Sequence, residues 1–120
     1  MNLRDMQVLL QAELLTPNLD IARKIGSVCG ADLMSDVLTY TKANTLLLTG
    51  LTSIQVVRTA EMVDLVAIVF VRGKRPTREI IQLAEQNDLP LFCTMYPLYE
   101  AAGILYSAGL RGCSQLEEGA

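Results

Sequence analysis

A cluster of basic residues follows the most apolar stretch of the chain. Arg72, Lys74, Arg75 and Arg78 are four of the ten cations in the sequence and lie within seven residues of one another. They stand beside the start of a predicted helix, where the helix dipole disfavours positive charge. The cations gain nothing from that local field, so the pattern indicates a binding site for a phosphate, a carboxylate ligand or an acidic protein surface. A solvated basic loop is the alternative interpretation.

This basic segment is one of three loops that join a predicted strand to a predicted helix; the others lie at 49–52 and 94–96. In open α/β sheets, ligands bind at the carboxyl ends of the strands, towards which the amide ends of the following helices point. Ordinary strand-to-helix turns would have similar residues. The candidate ligand-binding residues are Thr49, Gly50, Thr52, Arg72, Gly73, Lys74, Arg75, Thr77 and Thr94.

If these residues form one site, the three cations of the loop converge with the backbone amides near Thr77. Thr49 and Thr52 of the neighbouring turn would complete such a site.

Two carboxylates, Asp32 and Asp36, are spaced one helical turn apart. Such a pair could bind a divalent metal. The simpler interpretation is that Asp32 is the N-cap of a short helix through about Leu38, with Asp36 in its first turn. We therefore predict no metal site.

The residue types exclude several kinds of catalysis. The chain has no histidine, so it cannot contain a Ser-His-Asp triad, a Cys-His pair or an imidazole metal ligand. Neither G-x-x-x-x-G-K-[ST] nor G-x-G-x-x-G occurs. Cys29, Cys93 and Cys113 are odd in number and far apart, which argues against a disulfide framework or a zinc knuckle. We predict no catalytic residue and no cofactor.

Composition restricts the partners. A net charge of −3 and the absence of tryptophan argue against a nucleic-acid partner. No segment resembles a membrane span or a signal peptide, so a cytoplasmic protein without a membrane partner is expected.

Apolar residues make up 51% of this small chain, which predicts an exposed apolar patch and self-association as a homodimer. The expected dimer face is the last helix, through Leu98, Tyr99, Ala101, Ala102 and Leu105.

The elements that must position the candidate site alternate regularly in the second half of the chain. The patterns predict strands at 13–16, 24–31, 45–49, 65–71 and 91–94. Helices are predicted near the N-terminus from Leu3, and at 32–38, 53–63, 77–86 and 98–108, the last ended by Gly109. In the helix at 53–63, Ile54, Val57, Ala60 and Glu61 fall at helical intervals. We expect a three-layer α/β domain at 1–113, with a mostly parallel sheet of at least three βα units and a flexible tail at 114–120.

Three segments carry a resemblance to a known family: GADLMSDVL, LLLTGLTSIQVVRTAEMVDLVAIVFVRGKRP and LPLFCTMYPLYEAAGILYSAGL. Together they resemble the DRTGG domain, which is similar to the N-terminal domain of bacterial HPr kinase/phosphorylase. The resemblance covers roughly 25–110. The sequence differs from the family in two respects. It has no D-R-T-G-G run, and it has Arg72-Gly73 where the family has Gly-Gly after the central strand.

The resemblance implies an α/β accessory module. Such domains occur beside the kinase domain of HPr kinase, in phosphotransacetylases, and among CBS domains in some pyrophosphatases, where they help to pair subunits. The kinase chemistry belongs to a separate P-loop domain. We therefore expect a non-enzymatic regulatory or ligand-sensing module that acts as an oligomer. The alternatives are an enzyme subunit whose active site a partner completes, and a structural adaptor without a ligand.

Overall fold

The computed structural model describes residues 1–113; the predicted tail at 114–120 lies outside them. The helices are α1 (Leu3–Leu10), α2 (Met34–Tyr40), α3 (Ile54–Met62), α4 (Arg78–Gln86) and α5 (Leu98–Ser107). The strands are β1 (Glu13–Leu14), β2 (Ser27–Gly30), β3 (Thr45–Thr49), β4 (Ala67–Phe70) and β5 (Leu91–Cys93).

The five strands form one sheet in the order β1-β5-β4-β3-β2. Strands β2 to β5 run parallel, and β1 pairs antiparallel with β5. Every residue of β3 and β4 is buried, which explains their continuous apolar sequences, because a central parallel strand is covered on both faces. The predicted α/β fold with a mostly parallel sheet is confirmed.

Helices cover both faces of the sheet. Successive side chains of a strand point to opposite faces, so Leu46 and Leu48 join α1 and α5, whereas Leu47 joins α2, α3 and α4. Phe92 and Phe70 are fully buried, one in each of these two clusters. Full burial of such a side chain contributes about 1.5–3 kcal/mol. The three-layer arrangement is also confirmed.

A short segment of the chain, 111–113, lies along the outer edge of β2. Val28 pairs in parallel with Gly112. The Val28 amide donates to the Arg111 carbonyl at 2.8 Å, and the Cys113 amide donates to the Val28 carbonyl at 3.2 Å. The segment therefore satisfies backbone groups that an edge strand would otherwise expose.

The α5 face predicted for dimer formation is only partly available. Ala101 and Leu105 are completely buried within the domain, where they pack against the sheet. The large side chains that α5 exposes are Tyr99 and Tyr106. The expected face therefore needs correction: two of its five residues belong to the core, because that side of the helix covers the sheet.

The stripe predicted for α3 is correct at Val57 and Ala60, which are buried, and needs correction at its other two residues. Ile54 and Glu61 are exposed. The buried residues of this helix are Val56, Val57, Thr59 and Ala60. Two helical stripes fit this sequence, and contact with the sheet selects the one centred on Val56 and Ala60.

None of the helices in residues 1–113 is both long and apolar enough to cross a membrane. Within the same residues, no three cysteine or carboxylate side chains are grouped in a way that could hold a metal ion.

Candidate anion-binding site

A cavity of about 280 Å³ lies at the carboxyl edge of the sheet. It is formed by the loops that follow β2, β3 and β4, together with the start of α5. Its lining residues are Asp32, Gly50, Leu51, Val71, Arg72, Lys74 and Leu98. Of the residues predicted from sequence, the structure therefore brings Gly50, Arg72 and Lys74 together around one space.

Asp32 ties two of these loops together. Its Oδ1 accepts a hydrogen bond from the Thr49 hydroxyl at 2.9 Å and another from the Gly50 amide at 2.8 Å. Thr49 is fully buried, and its Oγ1 also accepts from the Leu51 amide at 3.1 Å. Thr49 therefore stabilises the turn without facing the cavity. The Gly50 amide already donates to the Asp32 carboxylate, so it is not available to a ligand.

The predicted role of Asp32 as a helix N-cap is wrong. Helix α2 starts at Met34, its N-cap is Leu33 without a side-chain hydrogen bond, and it continues to Tyr40. The Asp32 carboxylate instead binds the turn after the neighbouring strand. Asp32 also lies outside the helix, so it does not share a helical face with Asp36. Its position directly after a strand was the sequence signal for a role in the site.

Arg72 and Gly73 form a tight turn after β4. Both have positive φ angles, 58° for Arg72 and 68° for Gly73. Their amides donate to the Tyr96 carbonyl at 3.0 Å and to the Thr94 carbonyl at 2.8 Å. A Cβ atom at position 73 would lie 2.7 Å from the sulfur of the exposed Met95 side chain, which can move aside, so glycine is favoured there mainly by the positive φ angle. Arg72 occupies a conformation that also favours glycine.

Arg75 does not face this cavity. Its guanidinium donates to both carboxylate oxygens of Glu13 on β1, each at 2.9 Å. The hydrogen bonds and charge of Arg75 hold the pKa of Glu13 below its usual value. This bidentate pair links the basic loop to the antiparallel edge strand and directs the third predicted cation away from Arg72 and Lys74.

The remaining predicted threonines have structural contacts or stand apart from the cavity. Thr77 caps α4, its Oγ1 accepting from the Ile80 amide. The buried Thr94 hydroxyl donates to the Leu10 carbonyl at 2.7 Å, and so attaches the sheet to α1. Thr52 is half-buried in the β3–α3 loop and does not line the cavity.

A second cavity of about 730 Å³ adjoins the first. Its lining residues are Gly30, Arg72, Pro97, Leu98, Tyr99, Glu100 and Ala102. Because both spaces are lined by Arg72 and Leu98, Arg72 stands at their boundary. We call the two together the carboxyl-edge cleft. Arg72 and Lys74 can bind an anionic group in it, and the exposed Tyr99 ring offers an apolar surface beside them.

A larger cavity, about 820 Å³, lies near the amino ends of the strands. Two of its lining residues, Arg23 and Asp88, form an ion pair at 2.6 Å, and Arg23 also donates to the Asp88 carbonyl at 2.9 Å. Of its two cations, Arg23 is thus engaged by the chain itself, and Lys24 lies among three carboxylates that disfavour an anion, those of Glu61, Asp64 and Asp88. This edge is also not where the helix amide ends converge. We therefore place the candidate site at the opposite edge.

Comparison with known proteins identifies a structural relative. The chain matches no model of a known protein family, and no curated protein is significantly similar to it in sequence. Its structure resembles the CBS and DRTGG domains of the regulatory region of Clostridium perfringens pyrophosphatase, which was crystallised with an activator, diadenosine tetraphosphate. The TM-score is 0.72 at 19% identity, and the match covers 86% of this chain and 45% of the other. The chain therefore has a DRTGG-like α/β fold, shared with part of a CBS and DRTGG regulatory region.

Proposed function

We propose that this domain is a regulatory module that binds a small anionic ligand in the carboxyl-edge cleft and has no catalytic activity of its own. The observation that carries the proposal is that Arg72 and Lys74 line one cavity at the strand ends. Neither residue forms an ion pair within residues 1–113, unlike Arg75 and Arg23. Their charges are therefore available to a phosphate or a carboxylate.

The structural relative supports a ligand of this class. The pyrophosphatase regulatory region was crystallised with diadenosine tetraphosphate, a polyanion with two aromatic bases. The cleft provides complementary features, because Arg72 adjoins Lys74 on one side and the 86% exposed Tyr99 ring on the other. If Arg72 and Lys74 bound a phosphate group of the ligand, an aromatic base attached to that phosphate would lie within the 730 Å³ cavity, beside Tyr99.

The side chains around the cleft give no support to an enzymatic function. A nucleophile requires a nearby base or a lowered pKa. The Cys93 thiol donates to the Lys74 carbonyl at 3.3 Å, and burial raises its pKa. This thiol therefore remains protonated and unreactive near neutral pH. We infer that the domain signals through ligand binding, in the cytoplasm, and not through chemistry.

We also propose that the domain pairs with a second copy of itself. Tyr99 and Tyr106 are exposed on α5, and Met95 is exposed in the loop before it. Large apolar side chains grouped on one surface of a small domain favour association, and a two-fold dimer is the commonest closed arrangement. Tyr99 also lines the cleft, so ligand binding and pairing would influence each other.

The ligand proposal is tested by thermal unfolding with inorganic phosphate and with diadenosine tetraphosphate as probes. A ligand at 100 times its dissociation constant stabilises the folded state by about 2.7 kcal/mol, and so raises the Tm. We expect at least one probe to do so with the wild-type protein, and less as salt is added. The Arg72→Ala/Lys74→Ala variant should lose the shift.

The matched control is Arg78→Ala, which removes a cation from the same segment but not from the cavity lining. It should keep the shift. Undiminished binding by Arg72→Ala/Lys74→Ala would refute the site. Hydrolysis of diadenosine tetraphosphate that depends on Lys74 would instead support the enzymatic alternative.

A further inference from the structure

The edge of β2 places two cysteines side by side that are distant in the sequence. Val28 pairs in parallel with Gly112 in an isolated bridge, and Cys29 and Cys113 directly follow these two paired residues. The amide of Cys113 donates to the Val28 carbonyl, which holds the two backbones together at this point. Neighbouring strands lie about 4.8 Å apart, and paired residues point to the same face of a sheet. A disulfide needs a Cα separation of about 4.4–6.8 Å.

The thiol groups themselves are in proximity. Burial raises the pKa of Cys29 to about 11, and the neighbouring Cys113 thiol contributes to that shift. The Asp36 carboxylate of α2 acts in the same direction, whereas the Thr41 hydroxyl opposes it. Cys29 is half-buried and Cys113 buried, so an oxidant in solution has access through Cys29.

We propose that Cys29 and Cys113 form a redox-responsive pair whose disulfide fastens the chain at 111–113 to the open edge of β2. The third cysteine, Cys93, lies on β5, which β3 and β4 separate from β2. Its thiol donates a hydrogen bond to the Lys74 carbonyl. It has no role in this pair.

The oxidant is a small disulfide, such as oxidised glutathione. The Cys29 thiolate attacks one sulfur of that disulfide, forming a mixed disulfide and releasing one small thiolate. The Cys113 thiolate then attacks the Cys29 sulfur of the mixed disulfide, forming the Cys29–Cys113 bond and releasing the second small thiolate. The two protein thiols lose two electrons, which reduce the oxidant to two thiols, and the two protons pass to those products. The high pKa of Cys29 makes the first step slow at neutral pH and faster in alkali.

The position of the pair connects it to the carboxyl-edge cleft. Cys29 is followed by Gly30, which lines the 730 Å³ cavity of the cleft. Asp32, two residues further on, accepts a hydrogen bond from the turn after β3. In the reduced protein, two backbone hydrogen bonds join the segment 111–113 to β2. A covalent bond would hold this attachment until the disulfide is reduced. In a reducing compartment such disulfides are typically transient and redox-sensing.

The experiment is to incubate the folded, full-length protein with oxidised glutathione at pH 8.5 and to map its peptides without reduction. We expect a peptide that joins Cys29 to Cys113 within one chain, while Cys93 remains alkylable. Oxidation should raise the Tm by on the order of 10 °C, because a cross-link that closes a long loop restricts the unfolded chain. Added dithiothreitol should reverse both changes.

Cys29→Ser and Cys113→Ser should each lose the cross-link and the Tm rise. The matched control, Cys93→Ser, should keep both, and circular dichroism checks that each variant is folded. Separate glutathione adducts on Cys29 and Cys113, or disulfides only between chains, would overturn the proposal. The wild-type peptide map gives this answer even where a variant fails to fold.

Discussion

Arg72 combines an unfavourable backbone conformation with a central place in the cleft. Its φ angle of 58° lies in the left-handed region, where a Cβ atom costs about 1–2 kcal/mol. Its side chain is shared by both cavities of the cleft. The DRTGG family has glycine at the equivalent of this turn, as the resemblance in sequence implies. Strain of this kind is retained where a residue serves a function, which fits the proposed role of Arg72 in binding an anion.

The Arg72→Gly variant should therefore be more stable but bind anions less well. We expect a gain of about 1 kcal/mol in the free energy of unfolding, because glycine relieves the left-handed conformation. Loss of a charged hydrogen-bond donor should weaken the binding of whichever probe shifts the wild-type Tm by roughly tenfold. Urea unfolding and titration calorimetry measure the two effects.

The matched control for this prediction is Arg72→Ala, which removes the charge but keeps a Cβ atom. It should lose affinity to the same extent without the gain in stability. Equal stability of the glycine and alanine variants would show that the turn carries no strain at this position.

Among the elements, the helices that follow the central strands begin in two different ways. Thr77 stands before α4, and its side chain accepts a hydrogen bond from the Ile80 amide. Ser53 stands before α3 in the same extended conformation but forms no such bond. A residue type suited to capping is therefore present at both helices, whereas a capping hydrogen bond is present only at α4.

Substitution of these two N-caps should have different effects on stability. Thr77→Ala should lower the free energy of unfolding by about 1 kcal/mol, because it leaves an amide of the first turn of α4 without its acceptor. Ser53→Ala should change it by no more than a few tenths of that value. Urea denaturation of both variants tests this, and equal losses would contradict the assigned caps.

In the whole molecule, exposed apolar residues lie on two separate surfaces. Tyr99 and Tyr106 belong to α5, on one side of the sheet. The other side exposes large apolar residues of α2 and α3, namely Leu38, Tyr40, Ile54 and Met62. The charged surface lies between them, at the carboxyl edge. The proposed dimer would use the α5 surface, which lies beside the cleft.

Light scattering at micromolar concentration should therefore give twice the mass of the monomer. Tyr99→Ser/Tyr106→Ser should shift the equilibrium towards the monomer, because it removes the large apolar contacts of α5. Met62→Ser, on the opposite surface, should leave the dimer intact. A wild-type mass equal to that of one chain would count against pairing.

Strands and helices could be predicted from sequence where the residues that begin and end the element lie within the same short segment. Strand β3 was predicted with the observed bounds, because its apolar run is closed by Gly50. Helix α4 was predicted at 77–86 and is observed at Arg78–Gln86, with Thr77 as its N-cap. The basic loop was recognised for the same reason, since its cations are close in sequence. The absence of histidine excludes histidine-dependent catalysis and imidazole metal ligands in any fold that this chain could adopt.

The interactions that complete the site depend on residues from different strands. The Asp32 carboxylate binds the Gly50 amide, and Arg75 binds Glu13 instead of joining Arg72. Cys29 and Cys113 belong to distant segments that meet only at the edge of β2. Local periodicity cannot predict such contacts, because strand order and register decide which residues become neighbours. The sequence by itself determined the chemical groups available to this protein, whereas the tertiary structure decided which of them meet, since only packing of the sheet brings separate loops together.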